Sequence, residues 1–224
     1  MYKKIVFSPD RGEKSPQLDL SLLLLEPAGN KLLQKLLYGD LSPEEYTERL
    51  IQNYKNSYKE ILNQEEAVPD LPAAVLDWTY EEIHGVHTYS HLQVIDRTRE
   101  YYTGGAHGMR EKAYFVIDLA EKKQIRLKDL FLKDAEGALK TRIEDALRIY
   151  SGLEAGVPLS TGDYFEDSVK SLENFYLTAQ GIGFHWDPYE IAPYSVGPIE
   201  ILIPYEEVGE LLNSQGKSLI SQFN

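Results

Sequence analysis

Between Ser42 and Leu62 the apolar positions Tyr46, Leu50, Tyr54, Tyr58 and Leu62 recur every fourth residue. That spacing lines them along one side of an α-helix. At about 100° per residue the stripe drifts by about 40° per step, and Ile51 and Ile61 widen it into a curved apolar face. The start of this helix is also marked. Ser42 is a good N-cap, Pro43 suits the first helical position, and Glu45 completes a capping box. Residues Lys31 to Tyr38 predict a shorter helix closed by Gly39. Ala135 to Tyr150 predict another, with Leu139, Ile143, Leu147 and Tyr150 at helical spacing. Phe165 to Leu172 predict a short helix, and the chain from Tyr205 reads as helical to near its C-terminus.

Elsewhere the pattern changes to β-rich runs. Lys4 to Phe7 and Leu18 to Leu25 predict strands, the first ended by Ser8-Pro9-Asp10. Val75 to His87 and His91 to Thr103 are rich in Tyr, Val, Ile and Thr and predict a long hairpin turning near Thr88 to Ser90. Leu92 and Val94 share a face with Asp96, Thr98 and Glu100, so the far end of that hairpin reaches beyond the core. Lys112 to Leu119 predict a strand that returns at Ile125 to Leu127. Phe175 to Thr178 and Ile182 to Trp186 pair around Gln180-Gly181, and Ile199 to Ile203 form a last strand framed by Pro198 and Pro204. Residues 65–72 and 152–162 read as loops. Strands in meander order with helices between them predict an α+β fold, mainly antiparallel, with a long hairpin and a C-terminal meander packed by a few helices. Two lobes are expected, residues 1–110 and 111–224, joined near Gly108 to Lys112 and forming one compact unit.

A chain of 224 residues can bury about 70% of its unfolded surface, so the core needs no covalent staple. The chain has no cysteine, which excludes disulfides, thiolate catalysis and cysteine metal sites. The net charge of −13 argues against a nucleic-acid partner, because phosphate recognition needs clustered Lys and Arg. It favours solubility, and attraction to a basic partner. No apolar run reaches membrane-span length. The four leucines Leu22 to Leu25 read as a buried strand, and no export signal is expected in the chain.

Two stretches dense in Gly, Pro and Tyr stand out: Tyr101 to Gly108 and Asp187 to Glu200. The run Tyr102-Thr103-Gly104-Gly105-Ala106-His107-Gly108 resembles the signature of a bacterial envelope family of unknown function. That module also forms the extracytoplasmic part of the anti-sigma factor RsiV and the non-catalytic N-terminal part of the peptidoglycan deacetylase PdaC. Further similarities follow in order at Phe115 to Leu119, Leu127 to Phe131, Asn174 to Thr178 and Pro188 to Pro204. The resemblance covers Trp78 to Val208 closely, and the preceding segment more loosely. It implies an extracytoplasmic, lipoprotein-like or tethered binding or sensing module, with lysozyme-like proteins or wall glycans as ligands. No stretch of this sequence reads as an anti-sigma segment or a deacetylase domain, so neither is expected in it.

Each candidate residue has a plain structural role beside a functional one. Gly104, Gly105 and Gly108 supply unusual backbone angles; a nest of amides for an anion is the sharper alternative. His107 either locks that turn through a backbone hydrogen bond or acts as a general base in a cleft. Tyr102 lies beside it. His84 and His87 fall on opposite faces of a strand and His91 lies across the turn, so no metal site is expected. Asp187 and Glu190 flank Pro188-Tyr189 and either shape a turn or act as a carboxylate pair. Trp186, Tyr189 and Tyr194 suit a recognition surface. The expected reading is a binding module that is not an enzyme and carries no cofactor, with ligand contacts at Tyr102, His107, Trp186, Asp187, Tyr189, Glu190 and Tyr194. The alternative is an envelope carbohydrate-active hydrolase or deacetylase-associated domain using Asp187, Glu190 or His107.

Overall fold

The computed structural model describes residues 1–8, 17–65 and 77–223. The chain is α+β, with a six-stranded and a three-stranded sheet. Strands β1 (Tyr2–Phe7), β2 (Leu18–Leu23), β3 (Trp78–Tyr89), β4 (Leu92–Tyr102), β5 (Met109–Asp118) and β6 (Lys123–Ile125) follow one another in the larger sheet in chain order. The smaller sheet holds β7 (Phe175–Leu177), β8 (Gly181–Trp186) and β9 (Ile199–Pro204). Two compact units divide the chain: residues 1–84 with 97–111, and residues 85–96 with 112–224. Most of the predicted loop 65–72, the first residues of the predicted strand from Val75, and Pro9-Asp10 lie outside the described residues.

In the first unit, α1 (Lys31–Tyr38) and α2 (Pro43–Glu65) lie between β2 and β3 in the chain. They carry it back, so β2 and β3 pair in parallel, from Leu18 opposite Trp78 to Leu23 opposite Ile83. This is the one departure from the expected meander among the described pairings of this unit; β1 and β2 are antiparallel. The capping box is present: Ser42 Oγ accepts from Glu45 N–H at 3.1 Å, and the Glu45 carboxylate accepts from Ser42 N–H at 2.7 Å. Of the predicted stripe, Tyr46, Tyr54 and Tyr58 are buried. Tyr54 packs on Leu18 and Leu20, with Leu50, Ile51, Trp78 and Tyr80 around them.

The β3–β4 turn falls at Ser90-His91, one step later than expected. Ser90 takes φ +52°, the left-handed conformation that closes a two-residue hairpin.

The second unit adds α3 (Leu127–Leu130), α4 (Glu136–Tyr150), α5 (Tyr205–Val208) and α6 (Ser214–Ile220). Leu139, Ile143 and Leu147 of α4 are buried as expected, but Tyr150 is 52% exposed, because the stripe has rotated off the core by its last turn. Their partners include Ile182, Phe184 and Trp186 of β8 and Ile199, Ile201 and Ile203 of β9. Two predicted helices are corrected. Residues 165–172 are irregular: Phe165 N–H is taken by Ile191 O, and Asp167 accepts from Ser160 N–H. The C-terminal helix is broken after Val208. Leu212 bridges to Phe131, and Asn213 restarts the helix by accepting from Gly216 N–H while donating to the carbonyls of Asp129 and Phe131. No helix among the described residues is long and apolar enough to cross a membrane.

Candidate functional site

The smaller sheet has an apolar face and a polar one. Alternation along β8 sends Ile182, Phe184 and Trp186 into the core and leaves Gly183 and His185 on the opposite side. Register places Gly183 opposite Tyr176 on β7, and His185 opposite Glu200 on β9. The Tyr176 ring lies directly on Gly183, where an added Cβ would come within 2.0 Å of it. Tyr114 of β5 stacks on Tyr176 with ring centroids 4.4 Å apart.

Both ring nitrogens of His185 are paired. Nδ1 meets Glu200 Oε2 at 3.1 Å, and Nε2 meets Asp187 Oδ1 at 3.0 Å. Carboxylates only accept, so both ring nitrogens donate and the imidazole is held protonated. Burial opposes that charge, but the two carboxylates outweigh it and raise the His185 pKa. The hydrogen bond from His185, helped by Tyr176 and Lys112, lowers the Glu200 pKa to about 2 against the burial that opposes it. Tyr176 and Tyr114 donate to Glu200 at 2.9 and 3.2 Å. Burial and the Glu200 charge push both phenols up. Asp187 Oδ1 also accepts from Lys112 N–H at 2.8 Å. His185 therefore offers no lone pair to take a substrate proton.

The loop after β8 is organised by its own side chains. Glu190 accepts from Asp187 N–H at 2.7 Å, and Glu190 N–H donates to Asp187 O at 3.1 Å. The two carboxylates are thus directed to different partners, which is the geometry of a closed turn and not of an acid–base pair. Tyr189, between them, takes φ +74° and is 51% exposed. Its ring lies 5.7 Å from that of Tyr194. Phe165, tied to this loop through Ile191 O, is 53% exposed. A hollow of about 220 Å³ is lined by Phe165, Glu166, Glu190 and Ile191, among others. Trp186 presents no recognition face: it is 3% exposed and its indole N–H donates to Ser171 O at 3.0 Å.

Residues 128–206 match the family described as Protein of unknown function (DUF3298). The fold resembles that of a DUF3298 family member from Bacteroides fragilis NCTC 9343, with a TM-score of 0.83 and 24% identity over 100% of this chain and 95% of the other. It also resembles a DUF3298 family protein from Pseudomonas aeruginosa PAO1, with a TM-score of 0.68 and 18% identity over 96% and 93%. No curated protein matches the chain. These likenesses speak to the fold. The matched DUF3298 segment holds β7 to β9, and with them His185, Asp187, Glu190 and Glu200.

The other signature lies in the first unit. Gly104 and Gly105 take φ +85° and +107°, and an added Cβ at Gly108 would crowd Tyr101 O at 3.0 Å. Tyr102 donates to Gly105 O at 3.0 Å, and His107 Nδ1 donates to Gly108 O at 2.9 Å. Both side chains brace the turn. Tyr102 and His107 belong to one unit and Asp187, Tyr189 and Glu190 to the other.

A buried network in the first unit escaped the sequence reading. Glu82 is fully buried. Its Oε2 accepts from Tyr46 and Tyr80 hydroxyls at 2.6 Å each and from Arg99 Nε at 3.2 Å. Leu25 N–H donates to His84 Nδ1 at 3.1 Å, which leaves Nε2 to donate to Glu82 Oε1 at 2.7 Å. Burial works against the Glu82 charge, but these four partners hold its pKa down at about 2. The available signal was Trp78, Tyr80, Glu82 and His84 at period two on one strand face. Among the described residues no group of three or more His, Asp or Glu is placed to hold a metal ion. His84 is committed to Glu82; His87 lies 3.8 Å from Asp96, and His91 meets Gln222 at 2.8 Å.

Proposed function

We propose that the chain is a non-catalytic binding module of the bacterial cell envelope, acting outside the cytoplasm, and that its ligand is a basic, lysozyme-like protein. The observation that carries this reading is Tyr189. A bulky side chain at φ +74° is strained by about 1–3 kcal/mol, and its ring is half exposed. Strain kept at an exposed aromatic is a mark of recognition. Tyr194, its ring 5.7 Å away, extends the aromatic surface, and the exposed Phe165, Glu166 and Glu190 line the hollow beside Ile191.

The net charge of −13 favours a basic protein over a neutral wall glycan. The resemblance of the Tyr102 to Gly108 and Pro188 to Pro204 stretches to the RsiV and PdaC modules supports the envelope setting. The pairing of His185, Asp187 and Glu190 supports capture without bond breaking.

Calorimetric titration with lysozyme, and separately with soluble peptidoglycan fragments, tests the reading. Binding to lysozyme that weakens with salt and falls about tenfold or more in Tyr189→Ala and Phe165→Ala supports it. Absence of lysozyme binding, binding of glycan fragments alone, or turnover of the fragments overturns it.

A further inference from the structure

The first unit contains a cleft of about 280 Å³ between α2 and the face of β3 and β4. Leu50 and Asn53 of α2 form one wall. Trp78, Tyr80, Arg99 and Tyr101 form the floor, and Thr103 and Glu111 complete the rim. Tyr80 and Tyr101 stand nearly parallel, with ring planes 22° apart and centroids separated by 6.2 Å. The space suits one six-membered ring with small substituents.

Arg99 connects this cleft to the buried network. Nε is fixed on Glu82 Oε2 at 3.2 Å, and Nη2 donates to Tyr46 Oη at 3.1 Å. Nη1 has no hydrogen-bond acceptor among the described residues, although the side chain is only 23% exposed. A guanidinium locked on one edge with its other edge unused is a preorganised donor. Burying Glu82 and Arg99 together is weak as a source of stability, and orienting a donor gives the pair a use. Glu111 supplies the complementary acceptor. Its Oε1 takes the Tyr101 hydroxyl at 2.6 Å, while Oε2 has no donor among the described residues. Asn53, exposed on the wall, can donate and accept.

The lining decides the class of ligand. One cation and one anion line the cleft, so it carries no net charge to favour a phosphate or an ammonium. Three aromatic rings offer faces to C–H groups, and Arg99, Asn53, Thr103 and Glu111 offer both donors and acceptors for hydroxyls. We infer that this cleft binds a neutral, hydroxyl-rich ring, a single pyranose unit. This site is separate from the aromatic surface around Tyr189 and does not depend on it.

The chain has two tryptophans, Trp78 in the cleft and Trp186 in the core of the second unit. In a Trp186→Phe background Trp78 is the sole indole reporter. Titration with methyl glucopyranoside and with N-acetylglucosamine is expected to change its emission saturably for at least one of them, with half-saturation at about 1–10 mM. Asn53→Ala and Glu111→Gln touch the cleft rim and not the core; each is expected to weaken binding about tenfold while circular dichroism and the thermal midpoint stay unchanged. Should Trp186→Phe fail to fold, ligand-observed NMR on the unsubstituted chain and the two rim variants gives the same comparison. No saturable response to either sugar overturns the inference. So does binding that the rim variants leave intact, or a response to inorganic phosphate or phenol in place of sugar.

Discussion

Glu200 and His185 face each other across the β8–β9 pair and share a hydrogen bond of 3.1 Å at Nδ1. With Asp187 on Nε2, the ring is clamped at both nitrogens. The folded-state pKa is raised above the ordinary value of 6.5. A raised histidine contributes stability fully below its unfolded pKa and loses it as pH climbs through the folded value. The clamp's contribution is therefore expected to be complete below pH 6.5 and to fade as pH rises above that value. Nitrogen-15 NMR should show His185 doubly protonated at pH 6.5, and Glu200→Gln should lower its titration midpoint. A neutral ring at pH 6.5 would contradict the clamp.

Glu82 sets the opposite pH limit. Its pKa falls from 4.5 unfolded to about 2 folded, so its contribution is complete above 4.5 and disappears as pH drops toward 2. The linkage corresponds to about 3 kcal/mol. Glu82→Gln leaves Arg99 without its charge partner inside the unit and is expected to cost about 3–5 kcal/mol at neutral pH. It should also flatten the acid limb between pH 4.5 and 2. Urea denaturation at several pH values checks both. Glu200 shifts in the same direction, but its side chain is 41% exposed and solvent screening leaves it a smaller share. An acid limb unchanged in Glu82→Gln would show that other carboxylates govern it.

Local signals were legible in the sequence wherever one residue decides the geometry. Ser42, Pro43 and Glu45 announced the start of α2, and Gly39 closed α1 where the pattern stopped. Long-range pairing was not legible. Nothing in Leu18 to Leu23 says that its partner lies about sixty residues away and runs parallel. The segment 165–172 carries helical spacing, yet its Phe165 N–H is claimed by Ile191 and its Asp167 side chain by Ser160. Glu82 was hidden because one carboxylate in a β-rich run looks solvent-facing until Tyr46, Tyr80, His84 and Arg99 are seen converging on it. At the loop after β8, composition singled out Asp187, Tyr189 and Glu190 as candidates. The burial of Trp186 was not, since its strand is covered on both faces.

Gly183 is required by Tyr176. A methyl group at position 183 would meet the ring at 2.0 Å, and the ring cannot swing away without losing the hydrogen bond to Glu200 at 2.9 Å. Gly183→Ala should destabilise by about 1–3 kcal/mol. In Tyr176→Ala the steric conflict is gone, so adding Gly183→Ala should cost little more. A double-mutant cycle by chemical denaturation measures the coupling. Additive losses would mean that the ring does not dictate the glycine.

Tyr189 separates stability from recognition. Its φ of +74° is a conformation that glycine adopts at no steric cost. Tyr189→Gly should therefore leave the thermal midpoint unchanged or raise it slightly, because relieved strain offsets the added freedom of the unfolded chain. The ring is half exposed, so little buried area is lost with it. If the ring is retained for contact with a partner, the same substitution should reduce lysozyme affinity about tenfold or more. A residue kept for folding would give the reverse pattern, a lower midpoint with affinity intact. Thermal unfolding and calorimetric titration of one variant thus distinguish the two roles. The backbone bonds from Tyr189 N–H to Ala192 O and from Glu190 N–H to Asp187 O survive the change, so the loop keeps its shape and the comparison isolates the side chain.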